Sequence, residues 1–255
     1  MQIYEKEMKI NVTIQQLALY TEKLKQRILE LLEQYGDDEY EFNLWLNALI
    51  SQYMNALNDL MIIGFVASQF ANTPVSQQLA NGLQSKISEN LNKIGNRLIT
   101  QIQFNVNDFR SGNIDFNNFQ QNLDINVLTF QNLVLGVRSN TQYSMRRIGG
   151  ISEAEMQGLK HIKFWHTEPQ RPFCQVFDGI ILSIEDAIKI DDYYFDIHTV
   201  KGSGNGQGLP FLSNGGGYNC KGNMRGVSES EYLEYKKANP KQYKILEVAG
   251  MRLVA

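Results

Sequence analysis

Apolar residues recur every three or four positions through most of the first 150 residues. This spacing keeps them on one face of an α-helix, so it predicts amphipathic helices that each bury one stripe. The clearest stripe belongs to a predicted third helix from about Ser76 to Asp108: Leu79, Leu83, Ile87, Leu91, Ile94, Leu98 and Ile102. With three similar stripes beside it, we expect four long helices that form an antiparallel bundle or an extended arm.

Short polar and glycine-containing stretches separate the predicted helices. Gly36-Asp37-Asp38 is expected to end the first helix. Thr73-Pro74 is expected to end the second, because the residue before a proline is pushed out of the helical region. Ser111-Gly112 ends the third, and Asp115 is a predicted N-cap for the fourth. Gly149-Gly150 is predicted to close the fourth helix, so residues 1–150 form a predicted helical region.

The pattern changes after residue 150. Short apolar runs at 159–165 and 180–182 predict strands, and further strands are predicted at 244–248 and 251–254. Ser183 and Ser228 are predicted N-caps of short helices, since acidic residues follow each of them. Nine of the 20 glycines lie between 202 and 226, which predicts a glycine-rich loop. Residues 151–255 are therefore predicted as a small α+β module, and the chain as an α+β protein.

Composition narrows the function classes. The chain is 43% hydrophobic and 20% charged, which is ordinary for a soluble globular protein. Its net charge of −3 does not favour duplex DNA as a bulk ligand. No apolar run approaches the length that spans a bilayer, and the N-terminus lacks the apolar region of a signal peptide. We therefore expect no membrane partner and a protein that is made and kept in a cytoplasm.

A family resemblance lies in the second half of the chain. The segment His166–Gly179, HTEPQRPFCQVFDG, ends in an Asp-Gly turn, and a strand, the glycine-rich loop and the pair Asn219-Cys220 follow. In order and spacing these blocks resemble the phage Mu F-like minor head proteins. So do the upstream helix with Arg146-Arg147 near its end and the strand up to Trp165. The resemblance covers about residues 125 to 227. The chain departs from the family where Lys221-Gly222-Asn223 replaces a common Arg-His or Arg-Cys continuation.

The resemblance implies a structural protein of the phage virion, present in the host cytoplasm during assembly. It would act through interfaces in head assembly or DNA delivery, with no catalytic residues and no cofactor. The implied partners are the portal protein, the major capsid protein, further copies of the chain and packaged DNA. The structural centre of the module would comprise Trp165, Phe173, Cys174, Asp178, Gly179, Tyr218, Asn219 and Cys220.

The family pattern suggests that Cys174 and Cys220 lie close in space. They could be reduced core cysteines, a disulfide or half of a metal site. A structural zinc needs four ligands, usually in closely spaced pairs. The nearby histidines, His166 and His198, lack ligand spacing, so no metal is predicted. Catalysis by Cys174 with His198 as its base is disfavoured, because apolar neighbours raise a thiol pKa and make it inert.

Basic residues are the candidates for nucleic-acid or partner contact. Arg146 and Arg147 lie near the predicted end of the fourth helix, and Lys221 and Arg225 lie in the C-terminal third. Acidic residues at 229, 231 and 234 dilute this charge, so a solvated surface of mixed charge is the favoured interpretation.

Two other function classes stay open. The module could be a toxin-like or nuclease-like effector domain carried in the virion, with His166, Glu168, Arg171 and His198 as its polar centre. Such a site needs a general base and a cation for the phosphate within hydrogen-bond reach. The chain could also be a cytoplasmic scaffold of helical hairpins unrelated to phages.

Overall fold

A computed structural model describes residues 14–66, 73–166, 178–188 and 221–239. Over these residues the helices are α1 (Ile14–Tyr35), α2 (Glu39–Val66), α3 (Pro74–Arg110), α4 (Phe116–Met156), α5 (Ile184–Ile188) and α6 (Glu229–Ala238). The strands are β1 (His161–Trp165), β2 (Ile181–Ser183) and β3 (Asn223–Val227). Long helices with a small antiparallel sheet confirm the α+β class in its coarse form. Most of the predicted glycine-rich loop and both predicted terminal strands lie outside the described residues.

The chain divides into two compact units. The first combines residues 1–67 with 87–138, and the second combines 68–86 with 139–255. The division passes through α3 and α4, so both units contain part of each of these helices. The separate expectation of a helical region at 1–150 and an α+β module at 151–255 stays a prediction.

The helices of the first unit pack as an antiparallel bundle, as the stripes predicted. Between α1 and α4, Lys25 pairs with Asp124 and the Thr21 hydroxyl lies 3.3 Å from the side-chain oxygen of Gln131. Residue numbers rise along one helix as they fall along the other, so the two run in opposite directions. Apolar residues from all four stripes are buried between the helices, among them Leu17, Leu24, Ile28, Phe42, Leu46, Ile50, Leu91, Leu98, Ile102, Phe119, Leu123 and Val134.

Arg110, the last residue of α3, supplies hydrogen bonds to the backbone carbonyls at the C-terminal end of α1. Arg110 donates hydrogen bonds to the carbonyl oxygens of Tyr35 and Gly36, where α1 stops. The same guanidinium lies 5.5 Å from the centre of the Phe42 ring. A cation is favoured here, because the last carbonyls of a helix lack partners and carry its negative dipole end. The predicted break at Gly36 is thereby confirmed.

A second predicted helix boundary, the start of α4, is confirmed. The Asp115 carboxylate accepts a hydrogen bond of 2.8 Å from the Asn118 N–H, so it caps α4 as expected. The described part of α2 ends at Val66, and residues 67–72 lie outside the described residues, so the predicted end of α2 at Thr73-Pro74 stays a prediction. Pro74 is the first residue of α3, a position that suits proline because the N–H it lacks would have had no partner there.

The predicted end of α4 at Gly149-Gly150 is wrong. The helix continues to Met156 and ends before Gly158, whose φ is +69°. Gly150 faces β3 so closely that a Cβ atom there would overlap the carbonyl oxygen of Met224. The glycine therefore allows helix and strand to approach each other and does not terminate the helix.

The sheet of the second unit has the order β2-β1-β3, with both pairings antiparallel. Its inner face carries Ile162, Phe164 and Met224, all buried. Gly222 lies against the Phe164 ring and Gly226 against Ala154 of α4. The sequence did not predict β3, which lies within the glycine-rich stretch.

Candidate functional site

One end of the sheet gathers most of the described residues that carry the resemblance. Because β1 is antiparallel to both neighbours, its C-terminal end lies beside the start of β2 and the start of β3. Trp165 ends β1 directly opposite Asn223, the first residue of β3. On the other side, Asp178 and Gly179 lie before β2 and are separated from it only by Ile180.

The Asp178-Gly179 turn is fixed by two hydrogen bonds to β1 and the residue after it. The Asp178 carboxylate accepts a 2.7 Å bond from the His166 N–H, and the Gly179 N–H donates a 2.9 Å bond to the Phe164 carbonyl. Gly179 has a φ of +80°, a conformation that residues with a Cβ rarely adopt. The predicted turn is confirmed, but it is no tight hairpin, since the connection between the strands runs from 166 to 180.

Arg147 is not a surface contact. It has 0% exposure, so the expectation that it touches nucleic acid or a partner is wrong. Its guanidinium donates a 2.9 Å hydrogen bond to the Gly222 carbonyl and a 3.1 Å bond to the Ser144 hydroxyl. Because Gly222 lies just before β3, the buried cation fixes the start of this strand to α4.

The other three basic candidates are exposed. The Arg146 guanidinium lies 5.8 Å from the centre of the Tyr143 ring. Lys221 lies two residues before the start of β3. The side chain of Arg225 is 50% exposed and lies 2.6 Å from the Glu231 carboxylate. On the sheet, Arg225 is directly opposite Lys163.

Helix α6 covers part of the outer face of the sheet. The His161 ring stacks on Tyr232 with their centres 3.8 Å apart, and His161 Nδ1 lies 3.2 Å from the Glu229 carboxylate. Burial lowers the pKa of His161, against the opposing effects of Glu229 and Asp186. Burial also raises the pKa of Tyr235 to about 12, although its hydrogen bond with the Ile181 backbone opposes this.

Five residues of the predicted centre lie outside the described residues: Phe173, Cys174, Tyr218, Asn219 and Cys220. The proximity of the two cysteines therefore stays what the resemblance implies. Of the polar centre proposed for an effector domain, only His166 lies in the described part of the chain, while Glu168, Arg171 and His198 do not. Among the described residues, no cluster of three or more His, Cys, Asp or Glu side chains could hold a metal ion.

Two residues of the second unit, Arg147 and His161, have buried positions that the sequence did not predict. Arg147 follows Asn140 and Ser144 at helical spacing on the stripe that also contains Ile151, and all four are buried. A polar residue on an apolar stripe is the available signal for a buried hydrogen-bonded group. His161 gave a weaker signal, because strand alternation does not reveal that a distant helix will cover it.

No protein-family model, curated protein or solved structure matches this chain. Fold and site together define a class only: an α+β protein with a helical bundle and a three-stranded sheet. Within the described ranges, none of the helices has the length and apolar character needed to cross a membrane.

Proposed function

We propose that the chain is a minor structural protein of a bacteriophage head that works through interfaces with other proteins. One observation carries the proposal: three separate parts of the resembling segment come together. The strand that ends at Trp165, the turn at Asp178-Gly179 and the stretch at Lys221-Gly222 adjoin at one end of a single sheet. Arg147 joins the last of these to the upstream helix, which belongs to the same pattern.

Exposed apolar side chains on the first unit support a role in protein contact. Aromatic and large aliphatic residues are enriched in the cores of interfaces, although single exposed ones are also normal on soluble proteins. On the helices of this unit they include Leu19, Tyr40, Leu44, Trp45, Phe104, Ile125 and Leu128. On this proposal, the helices offer contact area to the portal protein, the capsid protein or a second copy of the chain.

The decisive experiment asks whether the polypeptide is part of the virion. Particles of the phage that encodes it would be purified by density gradient and analysed by quantitative mass spectrometry, before and after DNA release. We expect the chain at a fixed, low copy number per portal, and fewer infectious particles when its gene is disrupted. The same disrupted phage, grown in cells that supply an intact copy of the gene in trans, controls for effects on neighbouring genes. A protein that accumulates in infected cells but is absent from particles would contradict the proposal.

A second measurement addresses the effector alternative. The purified full-length chain would be incubated with RNA and DNA, alongside His166→Ala and His198→Ala variants. We expect no cleavage by any of the three proteins. Cleavage that disappears in either variant would show that the chain is a nuclease, and the structural role would be overturned as its main function.

A further inference from the structure

We propose that the uncovered part of the outer sheet face binds single-stranded nucleic acid, with a base stacked on Trp165 and phosphates held by Lys163, Arg225 and Lys221. This inference rests on the strand register and not on the proposed role in a phage head. It would stand if the chain were never found in a virion, and it could fail without affecting that role.

The register brings the aromatic ring and the cations onto one face. Side chains alternate between the two faces of a strand, and residues directly opposite each other share a face. Lys163 and Trp165 therefore lie on the same face of β1, and their partners Arg225 and Asn223 lie beside them on β3. Phe164 and Met224 point to the other face, where both are buried.

This part of the face is accessible. Trp165 is 39% exposed and the Arg225 side chain is 50% exposed. Lys221, two residues before β3 at the same end of the sheet, is exposed as well. Helix α6 covers the opposite end of the face, where Tyr232 stacks on His161. The sheet thus carries a covered half around His161 and an accessible half around Trp165.

The charges on this half favour an anion. Lys163 lies directly opposite Arg225, and two like charges in this arrangement destabilise a sheet. Glu231 pairs with Arg225, but within the described residues no acidic group lies at ion-pair distance from Lys163 or Lys221. The Asp178 carboxylate, also at this end, accepts a hydrogen bond from the His166 N–H and keeps its negative charge, but the three cations Lys163, Arg225 and Lys221 still outnumber the carboxylates of Asp178 and Glu231. A ligand with negative charges would relieve the repulsion.

An exposed indole beside these cations favours a single strand over other polyanions. Base stacking on an aromatic ring is available to every base, and a nearby positive surface follows the phosphates. Duplex DNA keeps the faces of its bases stacked inside the helix, and the Asp and Glu side chains of an acidic peptide have no ring to stack. The net charge of −3 also disfavours binding of duplex DNA over a large part of the protein surface. A local cluster of cations can still bind a short single strand.

The test uses the full chain and a fluorescein-labelled oligo(dT), followed by fluorescence anisotropy at low salt. A Trp45→Phe background leaves Trp165 as the sole tryptophan of the two in the chain, so stacking is read directly as quenching of its emission. We expect saturable binding with quenching, and an affinity that falls as salt rises. Trp165→Ala should weaken binding roughly tenfold or more. Lys163→Gln and Arg225→Gln should each weaken it and make the salt dependence shallower.

Lys160→Gln is the matched control, since it removes the same charge from an exposed residue at the other end of β1. It should change affinity much less than Lys163→Gln. Thermal unfolding of every variant confirms that the fold is retained. Three outcomes would overturn the proposal: no binding at low salt, binding to duplex DNA that Trp165→Ala leaves unchanged, or binding to a polyglutamate peptide in preference to oligo(dT).

Discussion

At the residue scale, the packing of the second unit depends on side chains whose residue type usually lies on the surface. Arg147 is the clearest case, since it is charged and yet has no exposed area. Moving a charge out of water costs several kcal/mol unless hydrogen bonds replace the lost hydration. The Gly222 carbonyl and the Ser144 hydroxyl supply two of these bonds. The arginine thereby fixes where β3 begins relative to α4.

Arg147→Ala should therefore destabilise the protein strongly, by about 3 kcal/mol, because it leaves a cavity and an unsatisfied buried carbonyl. Urea unfolding followed by circular dichroism measures the change. The neighbouring Arg146→Ala is the control: Arg146 is exposed, and surface substitutions usually stay within about 0.5 kcal/mol. Equal effects of the two substitutions would contradict the structural role assigned to Arg147.

At the element scale, the long helices and the first two strands of the small sheet were predicted, and the third strand was not. A stripe such as Leu79 to Ile102 repeats often enough to identify its helix from local sequence alone. β3 has five residues, two of them buried, and lies within a glycine-rich stretch, so it has too few alternations to be recognised. The accessible half of the sheet face could not be foreseen either, because it depends on the register that places Arg225 opposite Lys163.

The end of α4 shows how a local signal can mislead. Two consecutive glycines usually indicate the end of a helix, because glycine weakens helices and favours their C-terminal caps. Here Gly150 lies inside the helix, and the backbone of β3 occupies the space that a side chain would need. Glycine is needed at position 150 because of a tertiary contact with Met224, which lies far away in the sequence. A local sequence pattern contains no information about such a contact.

Two glycine-to-alanine substitutions test this explanation, with opposite expected signs. Gly150→Ala should destabilise the protein by about 1–3 kcal/mol, because the new methyl group would overlap the Met224 carbonyl. Gly82→Ala, within α3, places its methyl group in open space, because no atom outside the neighbouring backbone of the same helix lies within 4 Å. It should stabilise the protein by about 0.5–1 kcal/mol through helix propensity. Chemical denaturation of both variants decides the question, and stabilisation by Gly150→Ala would refute the close approach.

At the scale of the whole molecule, stability comes from apolar burial more than from surface charge. Ion pairs described for the chain, such as Arg27–Glu30, Lys93–Glu89 and Arg225–Glu231, join partly or largely exposed side chains. Each exposed pair contributes only about 0–1 kcal/mol, and salt screens it. The pH dependence of stability should then follow the few groups whose pKa the fold changes, and His161 is one of them.

His161 should make the protein less stable as the pH falls. Burial lowers its pKa in the folded chain below the ordinary value of 6.5, and Glu229 and Asp186 only partly oppose this. The unfolded chain therefore takes up the proton first as the pH falls. The free energy of unfolding is highest above pH 6.5 and declines as the pH falls from there to the lowered pKa of the folded chain.

His161→Phe keeps a ring against Tyr232 but cannot be protonated. We expect its unfolding midpoint to fall less than that of the wild type between about pH 7.5 and 5.5. The chain has three histidines, and the other two are common to both proteins, so the difference between the two pH profiles isolates His161. Parallel profiles would mean that covering by α6 does not disfavour the charged imidazole.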